Sequence, residues 1–110
     1  MSIYRLYTGD DGQSHIEDLE LSEELTSPHG VISFKFMTWP TGHFITWHPA
    51  PQRQYVILLS GELEIGLGDG TLRRFGPGDA RLVEDTTGQG HTTRVISDGP
   101  TLTAVIPLAD

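Results

Sequence analysis

The stretch from Gly42 to Gly61, GHFITWHPAPQRQYVILLSG, holds the residues of this chain best suited to chemistry. It sets the imidazole of His48 and the amide of Gln54 on either side of a proline-bounded turn, and an apolar run leads on to Gly61. A second imidazole, His91, opens another apolar segment. Imidazole titrates near neutrality, so a pair in a partly dry pocket can hold one base and one acid. Removal of a proton next to a carbonyl, then loss or migration of a group, needs that pair and a donor for the developing oxyanion. Gln54, Tyr55 or Arg53 could be the donor. His48 is the first candidate for base and His91 for acid, an order that residue types leave open.

The 110 residues make one domain with a modest core. There is no cysteine, which leaves imidazole, carboxylate and carbonyl as ligands and makes the cytoplasm the expected location. A net charge of −8 argues against nucleic acid, whose phosphates call for clustered Lys and Arg. No apolar run reaches the roughly 20 residues of a membrane helix. The opening residues, MSIYRLYTGDDG, lack a charged segment followed by an apolar one. No glycine-rich phosphate loop, Gly-x-Ser-x-Gly elbow or His-Glu-x-x-His pattern occurs.

The elements that must position these side chains read as strands. Residues 3–7, 31–39, 44–48, 54–59, 62–67, 71–75, 80–84, 91–97 and 102–107 are short apolar or alternating runs separated by Gly, Pro and Asp turns. The run at 54–59 is apolar on both faces, as a buried strand would be. Residues 14–25 fix no period, although Ser22 could cap a helical turn. Eight or nine short strands predict an all-β sandwich or barrel. Seven of the fifteen acids lie between Asp10 and Glu24, and no Lys or Arg occurs from Leu6 to Phe34. Residues 1–30 are therefore expected to form an acidic N-terminal arm packing on a barrel of residues 31–110. A solvated arm is the simple reading of this charge run, and a docking surface for a basic partner the sharper one.

The spacing resembles the cupin superfamily of double-stranded β-helix (jelly-roll) barrels. The family's first motif runs glycine, five residues, His-x-His, three or four residues, Glu, six residues, glycine. Here Gly42, His48, Gln54 and Gly61 keep that spacing, with Ala50 at the second His and Gln54 at the Glu. The second motif ends in Pro-x-Gly-x-x-His, matched by Thr86-Thr87-Gly88-Gln89-Gly90-His91 with Thr86 for the proline. Its strand starts at Gly78-Asp79, two residues further away than usual, and Val95 stands where Asn is common. Phe75-Gly76-Pro77-Gly78-Asp79 is similar to the family's inter-strand turn. The resemblance covers roughly residues 31–109 and implies the fold; the superfamily hosts isomerases, dioxygenases, lyases, decarboxylases and binding proteins, so it does not imply one activity.

In such a barrel, period-two geometry turns His48, Thr46 and Phe44 inward and His43, Ile45 and Trp47 outward. On the next strand Gln54, Val56 and Leu58 face in, and Tyr55, Ile57 and Leu59 out; later His91 and Thr93 face in. The expected pocket has Phe44, Val56 and Leu58 as its floor, with His48, Gln54 and His91 above, a form suited to a small molecule. Two histidines placed so could also simply hydrogen-bond each other or a water. Arg53, Arg81 and Arg94 could each anchor a substrate carboxylate or phosphate, or end in surface ion pairs.

The metal-binding members use three His and a Glu. His48, His91 and Gln54 would be the ligands of a divalent transition metal here, a poor cage unless His43 or Glu84 adds to it, so no tightly bound cofactor is expected. The expected protein is a cytoplasmic lyase or isomerase (dehydratase, epimerase or cyclase chemistry) using His48 and His91 on a small-molecule substrate. No nucleic acid or membrane is expected as partner. The resemblance and the outer apolar residues Ile45, Trp47, Tyr55 and Ile57 suggest a homodimer. A metal-dependent oxygenase or isomerase with a depleted ligand set and a non-catalytic binding or sensing domain are the alternatives.

Overall fold

Short alternating runs separated by glycine turns become ten strands and one helical turn in the structure, a computed structural model that describes residues 2–109. They are β1 (Ile3–Thr8), β2 (Ser14–Leu19), α1 (Glu23–Thr26), β3 (Lys35–Trp39), β4 (Phe44–His48), β5 (Gln54–Ser60), β6 (Leu63–Gly66), β7 (Leu72–Phe75), β8 (Ala80–Val83), β9 (His91–Val95) and β10 (Thr101–Pro107). Met1 and Asp110, the outer bounds of the two expected segments, lie outside the described residues. The strands form a six-stranded sheet in the order β2-β1-β8-β5-β10-β3 and a four-stranded sheet in the order β4-β9-β6-β7. Only the β1–β8 ladder is parallel among the strand pairs described. No helix among the described residues is long and apolar enough to cross a membrane.

The inner faces of the two sheets bury each other. Leu6, Val56 and Leu58 of the larger sheet share a core with Leu63, Ile65, Phe75 and Val95 of the smaller. Each such side chain contributes on the order of 1.5–3 kcal/mol when fully buried. The N-terminal segment supplies part of this core. Tyr4 of β1 stacks on Phe75 with ring centroids 3.8 Å apart, and burial pushes its phenol up to about 12 against the lowering influence of Arg81. Its acids are partly paired, Asp18 with Arg73 and Asp11 with His15. At α1 the Ser22 hydroxyl accepts from the backbone N–H of Leu25, the cap its position suggested.

Three local expectations need correction. The strand foreseen from residue 31 begins at Lys35, and Val31 makes just an isolated bridge to Leu108. β3 is the edge of its sheet, so residues 31–34 lack the second neighbour that would hold them extended. β5 is not buried on both faces: Val56 and Leu58 are buried on the inner face, but on the outer face Tyr55 and Ile57 are half-buried and Leu59 is exposed.

The third correction concerns β4. It pairs with β9 through Ile45↔Thr93 and His48↔His91, so Thr46 and Trp47 together oppose the single residue Thr92. A bulge of this kind breaks period-two alternation. Ile45 and His48, three residues apart, therefore share the inner face, while Phe44 and Thr46 lie exposed outside it. The outer ring of Phe44 carries the Arg94 guanidinium 4.4 Å above its centroid. The His48 ring holds the bulge, its Nδ1–H donating to the Thr46 carbonyl at 2.7 Å.

Candidate functional site

Both sheets line a cavity of about 220 Å³. From β5 come Gln54 and Val56; their ladder partners on β8, Val83 and Arg81, lie on the same face. Thr103 and Val105 of β10 and Met37 and Trp39 of β3 extend this floor. The opposite wall is Ile45 and His48 of β4 with His91 and Thr93 of β9, and Ala50 and Pro51 add the turn between β4 and β5. The lining is mostly apolar with a few polar groups, the usual form of a small-molecule site.

The two imidazoles are brought together on the smaller sheet, with ring centroids 4.5 Å apart and planes inclined at 56°. Register does this, since His48 and His91 are direct partners in the β4–β9 ladder. Gly90 permits it: its φ is +78°, and a Cβ there would overlap the His48 carbonyl oxygen. His91 is buried, and its Nδ1–H donates to Asp85 Oδ2 at 2.5 Å. The same oxygen accepts the hydroxyl of Ser14, from β2, at 2.6 Å. Asp85 is fully buried, so both bonds form where water does not compete. With each Nδ1 occupied by an acceptor, Nε2 is the nitrogen left on each ring.

Burial holds His91 below the ordinary imidazole value of 6.5, and the charges of Arg81 and His48 act in the same direction. The Asp85 carboxylate pulls the other way without overcoming burial. His91 is therefore neutral at pH 7, with its Nε2 lone pair available.

Of the residues expected at the site, His48, His91, Gln54 and Val56 line the cavity. Leu58 belongs to the core rather than the cavity lining, and Phe44 and Thr46 are displaced by the bulge. Arg53 and Tyr55 are not among the lining residues either. Arg53 Nε donates to Glu84 Oε2 at 2.5 Å, and Tyr55 lies with its ring 5.8 Å from that of His29. Glu84 also accepts from Arg5 at 2.5 Å. Burial pushes its carboxyl up, but the Arg53 and Arg5 contacts outweigh burial and hold it below the usual carboxylate range. Its neighbour Asp85 turns inward instead. Ile45, expected outside, lines the cavity, and His43 lies against Trp39 with ring centroids 5.3 Å apart.

The sequence does not by itself place Asp85 against His91, and it leaves Arg81 among several possible anchors. A carboxylate six residues before a motif histidine was the available signal for Asp85. For Arg81 it was the period-two relation to Val83 on a strand facing the core.

The cupin resemblance brings a divalent metal into question, and the donor set does not fit one. Among the described residues no group of three His, Cys, Asp or Glu could hold a metal ion. Ala50 presents a buried methyl, Gln54 an uncharged amide, and Arg81 a cation on the same lining. Such ions usually take three or more ligands and gain from a carboxylate.

No sequence-family model and no curated protein matches the chain. Solved structures do. A cupin domain from Bordetella pertussis Tohama I aligns with a TM-score of 0.56 and 16% identity, over 77% of this chain and 88% of that one. A cupin 2 conserved barrel protein from Salinispora arenicola CNS-205 aligns at 0.52 and 21%, over 69% and 62%. The chain has the double-stranded β-helix fold of these cupin barrels. Among its structural neighbours is the DMSP lyase DddQ from Ruegeria pomeroyi DSS-3, with a TM-score of 0.55 and 28% identity over 70% of this chain. This chain spans 38% of that lyase's length.

Proposed function

We propose that this cupin is a small-molecule enzyme of lyase or isomerase type that works by proton transfer between His91 and His48. The observation that carries the reading is the buried Asp85–His91 hydrogen bond, set against His48 on the wall of an apolar cavity. Asp85 holds the ring with Nδ1 protonated and leaves Nε2 as base; the carboxylate also stabilises the imidazolium that forms when Nε2 takes a proton. This reverses the first assignment from sequence, because a buried neutral imidazole backed by a carboxylate suits the base.

His91 Nε2 would remove a proton from a carbon next to a carbonyl, and the bonding pair would move onto the carbonyl oxygen as an enolate. The Gln54 amide, on the lining, can donate to that oxygen. Protonated His48 would then deliver a proton to a leaving group, completing an elimination, or to carbon, completing an isomerisation. The 28% likeness to a DMSP lyase supports testing elimination first.

Solvent-deuterium exchange into small carbonyl compounds, followed by NMR, reads the proton-removal step without the natural substrate. Wild-type protein is expected to catalyse exchange in some member of such a panel, and His91→Ala to lose it with its circular dichroism unchanged. His48→Ala should lose elimination or isomerisation more completely than exchange. If exchange persists unaltered in folded His91→Ala, the acid–base reading is wrong. A folded variant that still binds ligand, beside a wild type that exchanges nothing, would point to a binding or sensing domain.

A further inference from the structure

We infer that the cavity binds a small monocarboxylate with a short apolar body, and that Arg81 is the residue that holds its carboxylate. This names the substrate class of the site proposed above and takes its catalytic meaning from that reading; the binding itself does not depend on turnover.

Arg81 is 6% exposed, a degree of burial unusual for a guanidinium. It lies on the cavity lining opposite Val56, its partner in the β5–β8 ladder, and on the same face as Val83. Its Nη1 is buried without a hydrogen-bond acceptor, and no carboxylate forms an ion pair with it among the described residues. The other described arginines have partners: Arg5 and Arg53 meet Glu84, Arg73 meets Asp18, Arg74 meets Glu64, and Arg94 stacks on Phe44. A buried cation left unpaired is strongly destabilising, so its retention on a cavity wall calls for an anion that arrives from outside.

The lining selects among anions. The guanidinium fork matches the two oxygens of a carboxylate. Val56, Val83, Ile45 and Val105 line the same cavity with hydrocarbon, a poor exchange for the hydration shell of phosphate or a dianion and a good one for an alkyl chain. The cavity lies below the roughly 300–1,000 Å³ of drug-sized sites, which limits that chain to a few carbons. Arg81 stands on the larger sheet and the imidazole pair on the smaller, so a carboxylate held by one presents its neighbouring carbons to the other.

The test is calorimetric titration of the full chain with butyrate, its neutral analogue n-butanol and inorganic phosphate. Butyrate is expected to bind saturably, and butanol and phosphate at least about tenfold more weakly, the factor one lost charge-assisted hydrogen bond implies. Arg81→Gln should remove the preference for butyrate over butanol and leave butanol unchanged. Arg81→Lys keeps the charge but not the fork and should fall between. Because Arg81→Gln deletes an unpaired buried charge, its urea midpoint should match or exceed that of the wild type. Equal affinity for butyrate and butanol in wild type, tighter binding of phosphate, or an undiminished preference for butyrate in folded Arg81→Gln would each overturn the inference. So would a marked loss of stability in both Arg81 variants, which would make the guanidinium structural. Loss of deuterium exchange in His91→Ala with butyrate affinity intact leaves both readings standing, while a wild type that exchanges deuterium but shows no preference for butyrate removes only this one.

Discussion

Replacing Asp85 probes how the site is held together, and two substitutions give different expectations. In Asp85→Ala the Ser14 hydroxyl and the His91 Nδ1–H both lose the oxygen they share, 2.6 and 2.5 Å away. Leaving a buried donor unpaired costs about 1–3 kcal/mol each. Relief of the carboxylate's own desolvation offsets part of the sum, so a net loss of about 2–4 kcal/mol is expected. That is a large share of the 5–15 kcal/mol typical of a domain. Asp85→Asn keeps an acceptor in place and turns two charge-assisted bonds into neutral ones, costing about 1 kcal/mol apiece. Urea denaturation measures both changes. Long-range ¹H–¹⁵N NMR against pH follows the imidazole directly. Asp85 raises the basicity of His91 against burial, so the Asn variant should titrate at lower pH than the wild type, still with Nδ1 protonated. Asp85→Ala losing less stability than Asp85→Asn, or His91 titrating higher in the Asn variant, would refute the claim that this carboxylate orients the ring and supports its charged form.

Two further outcomes follow from the same geometry. His91 is held below 6.5 in the folded chain, so in the mildly acidic range just below that value the unfolded chain binds a proton that the folded one does not. Its contribution to stability is therefore present above pH 6.5 and lost as pH falls through the folded value; urea midpoints should decline over that window, with a shallower decline in His91→Gln. The donor-set argument expects untagged wild-type protein to carry well under one transition metal per chain in elemental analysis. The pair Ala50→His and Gln54→Glu, which restores the family's ligand types, should bind Ni²⁺ or Zn²⁺ far more tightly by calorimetry. Equal affinity in the two proteins would show that Ala50 and Gln54 do not weaken metal binding at this site.

The spacing of Gly42, His48, Gln54 and Gly61, together with a second motif holding Gly88 and His91, was enough to identify the barrel and two of its inward histidines. That information is local. Strand alternation, glycine turns and the Ser22 cap depend on neighbours a few residues away, so they can be read from the chain itself. The bulge between Ile45 and His48 could not, because two residues opposing one is a property of a strand pair. It moved Phe44 and Thr46 out of the site and Ile45 in. The outward course of Tyr55 was implied by alternation, but the engagement of Arg53 with Glu84 and of Tyr55 alongside His29 depended on which elements lie next to β5. Asp85 behind His91, Ser14 behind Asp85 and Arg81 without a carboxylate are likewise decided between segments far apart in sequence. Sequence by itself determined the barrel and the histidine pair. Only the tertiary structure decided which imidazole is backed by a carboxylate and which cation faces the cavity, because burial and partnership exist only once the two sheets have closed on each other.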